Sequence, residues 1–528
     1  MKKKLLAALL TVAMTATMLI GCGGGAAEEE GVSSEAVEDG TEEGGEGEAA
    51  GEEDLTEITV SFWSLATVPE EVDMVEEAIN EITEEEIGVT VNLNIMDVGS
   101  YIPNGAMANG VANGEDFDLV LTAAALSGHY SVMMSNGMLM PITDLLQEYA
   151  PTLLNAIPED FLGATSKDGE IYAVPSYSNK VQNMYWICRT DALEAAGIDI
   201  NTVTSIEALD AALYKIKETS PDYMPLSGAS FTMNMTYPGF AFGAGNGAAT
   251  WDSLGESTAV AAAVYHDDTT YTAVSRYETE EFKKDIEYLG KWYADGLLDK
   301  DTATDSATGS AILDKANAAS EIYVGQFDIA ATRAASSGSQ YVKLADGVIG
   351  TGAMQQFTWA LPVSCDEPEA AVKFMNMLYT DERIVNLVDY GVEGTHYVKN
   401  EDGTIGFPEG VTAENSGYYL GGLTALIGNG FLAYPWTGAD PNTAALGQEE
   451  MENAQYSSLL GFALDTAALG DLYTNLCPIA NQEYGPALFC GSAPEGYYEE
   501  MIEKLKAAGL DEYLAQVNEQ IQAWVAAK

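Results

Sequence analysis

The chain has 528 residues, of which 82 are aspartate or glutamate and 22 are lysine or arginine, a formal net charge of −60. Nucleic-acid binding rests on cationic patches that so acidic a chain does not supply, and anionic lipid surfaces are disfavoured for the same reason. At this length, with 47% hydrophobic residues, two or three domains with substantial cores are expected.

At the N-terminus Lys2, Lys3 and Lys4 precede a mostly apolar run from Leu5 to Ile20. A run of that length at about 1.5 Å per residue reaches roughly 24 Å, short of the ~30 Å hydrocarbon core. Residues 1–21 therefore read as a secretory signal peptide, with an uncleaved anchor helix as the alternative. The tetrapeptide Leu19-Ile20-Gly21-Cys22 resembles a bacterial lipobox, which makes Cys22 the expected lipid attachment point and new N-terminus. Several acyl chains there anchor stably where a single chain binds only marginally. Residues 23–54 hold thirteen acidic residues, nine glycines and no lysine or arginine. With little apolar surface to bury and strong self-repulsion, 22–54 is expected to be a disordered tether.

Beyond it, the alternation of Ile58, Val60 and Phe62 predicts a strand ending at Trp63-Ser64. Pro69-Glu70-Glu71 opens a helix with Val72, Val75, Ile79 and Ile82 on one face. Val89, Val91, Leu93 and Ile95 alternate as a second strand, and the run Phe117 to Thr122 suits a buried parallel strand. Strand, helix, strand, helix, strand predicts βαβ units and a parallel sheet covered on both faces. Ligands bind beyond the carboxyl ends of such strands, where Trp63, Ser64, Thr122 and Ala123 fall. Asp168-Gly169 and Asp402-Gly403 read as hairpin turns. Near the end, Leu510, Leu514, Val517, Ile521 and Trp524 form a helical stripe expected to dock on its own lobe, with a partner helix as the alternative. Trp292 and Trp524 have apolar neighbours at helical spacing and read as structural.

Catalytic signatures are absent: no HExxH, GxSxG or P-loop pattern occurs. His129, His266 and His396 are scattered without metal-ligand spacing. Asp299, Asp301 and Asp305 superficially suggest a calcium loop, but Thr304 stands at the glycine of an EF-hand and Ser310 at its final glutamate. Neither a metal nor a cofactor is expected. Cys188, Cys365, Cys477 and Cys490 show no zinc spacing; they are expected to be free and buried, with a Cys477–Cys490 disulfide as the alternative.

Several segments in order carry a family resemblance: "ITVSFWS", "FDLVLTAA", "LMPITDLLQEYAPTL", "SKDGEIYAVPSYSNKVQNMYW", "YETEEFKKDIEYLGKWYADGLLDKD" and "EPEAAVKFMNMLYTDERIVNLVDYGVEGTHY". Together with the closing run from "FLAYPWTG" through "SSLLGFALD" to "IEKLKAAGLDEYLAQVNEQIQAWV", they resemble the maltose-binding type of solute-binding lipoprotein that serves ABC importers, in a subgroup with a distinctive C-terminal region. The resemblance implies an α/β, two-lobed periplasmic-binding-protein fold with a hinge and an inter-lobe cleft. It implies one lobe at about 55–178 plus 354–398, and the other at about 179–353 plus 399–528. It also implies an ABC permease as partner and a lipid-anchored position on the outer face of the cytoplasmic membrane.

Residue chemistry suits a neutral, hydroxyl-rich ligand. Sugar rings present C–H faces and hydroxyls, so they call for aromatic platforms beside fixed amides and hydroxyls. At loops and strand ends the candidates are Trp63, Tyr177, Phe327 and Trp359, with Ser64, Thr122, Asn179, Asn183, Ser230 and Gln326 as polar partners. Phe231 and Asn234 belong to the wider set, whereas Tyr185, Tyr434 and Trp436 suit the core better. Trp63, Tyr177 and Trp359 serve equally well as core packing. Oligosaccharide is the leading ligand class; a peptide or other polar metabolite is the alternative within transport. A surface glycosidase or an adhesin is the alternative outside it, since a carboxylate pair is not identifiable by eye among 82 acids.

Overall fold

The computed structural model describes residues 55–102, 104–122, 128–227, 251–252, 254, 262–265, 268–300, 313, 317–422 and 427–527. The signal run, the tether and Cys22 lie outside the described residues.

Strand β1 (Thr56–Ser64) leads through helix α1 (Val72–Ile87) to β2 (Val89–Asp97). Helix α1 buries Val75, Ile79 and Thr83 on one face and stops at Gly88, whose φ of 68° is the left-handed conformation glycine adopts without steric cost. In β2 the buried residues Val89, Val91, Leu93 and Ile95 alternate with polar ones, as a half-covered strand requires. The two strands pair in parallel from Thr56↔Val89 to Ser64↔Asp97, and β3 (Leu119–Leu121) pairs in parallel on the other side of β1. Strand β4 (Ala173–Pro175) completes one edge of this sheet.

The chain then leaves for a second sheet. Strand β5 (Asn183–Arg189) is central, flanked by β6 (Ser320–Gly325) and β7 (Ser339–Ala345), both antiparallel to it. Helix α2 (Phe327–Ser337) connects the flanking strands. The return begins at β8 (Val348–Ile349) and reaches β9 (Thr358–Ala360), which inserts between β3 and β4 antiparallel to both. The first sheet, β2-β1-β3-β9-β4, is thus parallel over its first three strands and mixed beyond them. The purely parallel expectation fails at β9 because that strand enters from the other lobe instead of through a βαβ crossover. Helix α3 (Pro368–Thr380) buries Phe374, Met375 and Leu378 against this sheet. Helix α4 (Thr443–Glu452) precedes the final crossing, strand β10 (Gln455–Tyr456) lies within it, and α5 (Leu510–Ala527) is the last described helix.

The buried apolar residues form two principal clusters. One runs from Ile58 to Val181 and from Ile349 to Met451; the other runs from Met184 to Ala345 and from Leu459 to Ile521. The expected division put everything after 398 in the second lobe. Tyr418, Leu420, Ile427 and Met451 instead pack into the first core. Backbone pairing holds them there: Leu65 N–H donates to Leu420 O, Tyr177 N–H to Gly428 O and Asn429 N–H to Leu378 O. In α5, Leu510, Val517 and Ile521 are buried in the second core and Trp524 stands edge-on to Phe462, so this helix packs on its own lobe. Trp292 is fully buried there too. Cys188, Cys365, Cys477 and Cys490 are free thiols. Among the described residues no helix is long and apolar enough to cross a membrane.

Candidate functional site

Among the described residues three crossovers join the lobes, at about 176–183, 345–350 and 452–459, and they lie side by side. Strand β8 of the second pairs in parallel with β10 of the third, and Ser457 N–H extends the pairing to Ile349 O at 2.9 Å. The first crossover touches the second where a Cβ on Gly347 would lie 2.0 Å from the Gln182 carbonyl oxygen, so only glycine fits. Asn183 ties the first two to helix α4. Its Oδ1 accepts from Gly347 N–H at 2.7 Å, and its Nδ2 donates to Glu450 Oε1 at 2.7 Å and to Tyr185 Oη at 3.0 Å. Asn179 Nδ2 donates to the other oxygen, Glu450 Oε2, at 2.7 Å, while its Oδ1 accepts from Val181 N–H. A single carboxylate on α4 is therefore held by two amides of the first crossover.

Gln326, just before α2, reaches the same place: its Nε2 donates to Asn179 O at 3.4 Å, while its buried Oε1 has no hydrogen-bond partner. Phe327, half-buried, packs against the cluster of Tyr185, Ile187 and Tyr323, in which the two tyrosine rings stack with centroids 6.3 Å apart. Asp328 follows in the first turn of α2; burial raises its carboxyl pKa, and the Glu450 charge adds to the effect. Tyr177 stands half-buried with edge-on contacts to Phe161 (5.3 Å) and Phe431 (5.1 Å). Asn179, Asn183, Gln326 and Tyr185 are thus brought together around Glu450.

Of the remaining candidates, Trp63, Ser64 and Thr122 sit at the carboxyl ends of strands in the first sheet. Trp63 is 2% exposed and tilts against Phe357 (5.9 Å) and Tyr101 (6.4 Å), with no partner for its indole N–H. Trp359 is fully buried in mid-sheet, edge-on to Phe62. Ser64 accepts from Ala66 N–H and donates to Thr67 O, which closes a local turn. Thr122 and Thr358 satisfy each other through backbone and hydroxyls, with 3.0 Å between the two Oγ1 atoms. Ser230, Phe231 and Asn234 lie outside the described residues, as do His266, Asp301 and Asp305. His129 is buried in the first lobe, and His396 pairs with Glu71 at 2.9 Å. Among the described residues no group of three or more His, Cys, Asp or Glu is placed to hold a metal ion.

Sequence reasoning passed over Glu450, Gly347 and Lys180. Glu450 stands in "GQEEMEN", indistinguishable from the chain's many other acids, and Gly347 gives no local turn signal. Lys180 did carry one: a lone cation in "SYSNKVQN", at the expected passage between lobes of a strongly acidic chain. It is 6% exposed, and burial pushes its ammonium pKa down to about 8.

Comparison with known proteins follows this architecture. The profile of a family described as bacterial extracellular solute-binding protein matches residues 69–383, and a domain of unknown function matches residues 458–526. The chain is 25% identical over 464 residues to a carbohydrate ABC transporter substrate-binding protein of Streptococcus pneumoniae serotype 4, an alignment covering 85% of this chain and 87% of that one. Its fold is similar to the crystal structure of the N-glycan transport solute binding protein NgtS from Streptococcus pneumoniae. The TM-score is 0.73 at 22% identity, covering 89% of this chain and 99% of the other. The same protein in complex with Man5GlcNAc gives a TM-score of 0.63 at 21% identity, covering 90% and 99%.

Proposed function

Because the chain belongs to the bacterial extracellular solute-binding protein family, we propose that it is the receptor of an ABC importer. In this reading it captures an oligosaccharide between its lobes, closes about the three crossovers and hands the ligand unchanged to the permease. The observation that carries the reading is the junction itself: two separate cores are joined by side-by-side extended segments, so the lobes can rotate while each core stays packed. The carbohydrate named for the Streptococcus relative and the N-glycan named for NgtS support the ligand class.

Tyr177, Gln326 and Phe327 form the core of the proposed contact set, with Trp63 backing them: aromatic faces for the C–H surfaces of sugar rings, an amide group for their hydroxyls. Asn183 has both N–H donors and its oxygen engaged within the protein, so its proposed role moves from ligand contact to hinge; Asn179 keeps one N–H. Ser64, Thr122 and Trp359 back this set from the first sheet. Cys22 is the proposed lipid site on the outer face of the membrane: Cys22→Ser releases the protein, whereas continued membrane retention assigns anchoring to the apolar run.

The test is a thermal-shift panel of oligosaccharides, monosaccharides and short peptides on the full chain carrying Cys22→Ser. A ligand at about a thousand times its Kd adds about 4 kcal/mol of stability, a visible shift. A shift confined to oligosaccharides, recovered intact afterwards, is the expected result. A shift with peptides alone, or consumption of the saccharide, overturns the reading.

A further inference from the structure

Lys180 is the one buried lysine among the described residues. Other buried charges in the fold, Arg333, Glu321 and Asp118 among them, are held. Arg333 Nη1 lies 3.2 Å from Glu321 Oε2, and Asp118 accepts from the amides of Thr59 (2.8 Å) and Glu367 (3.2 Å). Among the described residues no hydrogen bond or ion pair holds Lys180, and burial is the cause of its lowered pKa. Burying most of a lysine side chain without a protein partner for its ammonium does not stabilise the fold, and a methionine of similar length would fill the same space. Its place is the first crossover, between Asn179 and Val181. The carbonyl of the Asn179–Lys180 peptide accepts from Gln326 Nε2 at 3.4 Å, and the Oε1 of that glutamine is a buried acceptor with no donor. A nine-tenths buried lysine without a partner among the described residues, and beside its peptide a buried acceptor without a donor, are complementary to a molecule that carries an anionic group beside a hydroxyl.

We propose that Lys180 is a specificity-determining residue, and that the oligosaccharide carries an acidic group, carboxylate or sulfate, that meets its ammonium while a ring hydroxyl donates to Gln326. The proposal rests on the oligosaccharide reading above and narrows it. The net charge of the chain opposes long-range attraction of such a ligand, so the selectivity arises in the buried contact and not in steering.

The test titrates matched saccharides against the full chain: galactotetraose with tetragalacturonate, and lactose with sialyllactose and sulfolactose. The expected result is an acidic member binding at least about tenfold tighter than its neutral counterpart, with Lys180→Met erasing that ratio and Lys180→Arg retaining part of it. The carboxylate and sulfate arms separate the two sources of charge. Neutral members binding as tightly as acidic ones, or Lys180→Met keeping the ratio, overturns the proposal and leaves the receptor reading standing. Binding of no saccharide at all removes both. Without ligand, Lys180→Met is expected to leave the melting temperature unchanged or higher; a fall of several degrees reveals an internal partner and also overturns the proposal.

Discussion

Asn183 makes three side-chain hydrogen bonds, and each reaches a different stretch of chain: Tyr185 on β5, Gly347 on the second crossover and Glu450 on α4. Removing it orphans partners that water does not readily reach, so Asn183→Ala is expected to cost about 1–3 kcal/mol in thermal unfolding. Combined with Glu450→Gln, the loss should fall short of additive, because both changes break the same bond; strict additivity would show that the pair is not coupled. Trp63, packed on Phe357 and Tyr101 and almost fully buried, predicts a fold effect as well. Trp63→Ala should lower the stability of the free protein by about 3–5 kcal/mol, measured by denaturant titration. His129 gives the clearest pH signature. Its Nδ1 accepts from Ser131 N–H at 3.2 Å, and burial lowers its pKa from 6.5 to about 4. The unfolded chain takes up a proton near pH 6.5 while the native state refuses it until about pH 4. Stability is therefore full above the unfolded value and drains as pH falls through this window, by up to about 3 kcal/mol. His129→Gln should remove that part of the acid sensitivity in melting curves taken across the window, and an unchanged difference between variant and parent contradicts the assignment.

At the scale of elements, the local periodicities were readable and the long-range partners were not. The alternation of Val89, Val91, Leu93 and Ile95 specifies β2, and the spacing of Val75 and Ile79 specifies α1, because each pattern matches the geometry of one element. Asp168 (φ 54°) and Gly169 (φ 86°) turn the hairpin their types suggest. Strand β9 offered no such handle: it spans three residues, and its hydrogen-bonded partner Thr122 lies 236 positions earlier. The site was half legible for the same reason. Asn179 and Asn183 stand out as amides between two expected lobes, but the carboxylate they share is 271 and 267 residues away. Two element-level substitutions follow. Ile521→Ala in α5 leaves a cavity in the second core and should cost about 2–5 kcal/mol by denaturant titration. Gly347→Ala forces a methyl against the Gln182 carbonyl, so the first two crossovers must separate. An overpacking cost of about 1–3 kcal/mol is expected, together with weaker ligand binding measured by calorimetry.

The described residues form two principal cores that share three adjacent crossovers, with a part-buried, hydrogen-bonded knot at Asn183 and Glu450 beside them. Rigid lobes and a small set of joining residues are what hinge closure needs, because the change in backbone angles is confined to a few positions while packing inside each lobe persists. A ligand that contacts both lobes favours the closed state only by its difference in affinity for the two states. The direct measurement is small-angle X-ray scattering of the full chain carrying Cys22→Ser, with and without a saturating oligosaccharide taken from the thermal-shift panel. The account predicts a smaller radius of gyration with ligand and no change with a saccharide that gives no thermal shift. Saturated binding with scattering superimposable on that of the free protein would contradict capture by closure of the lobes.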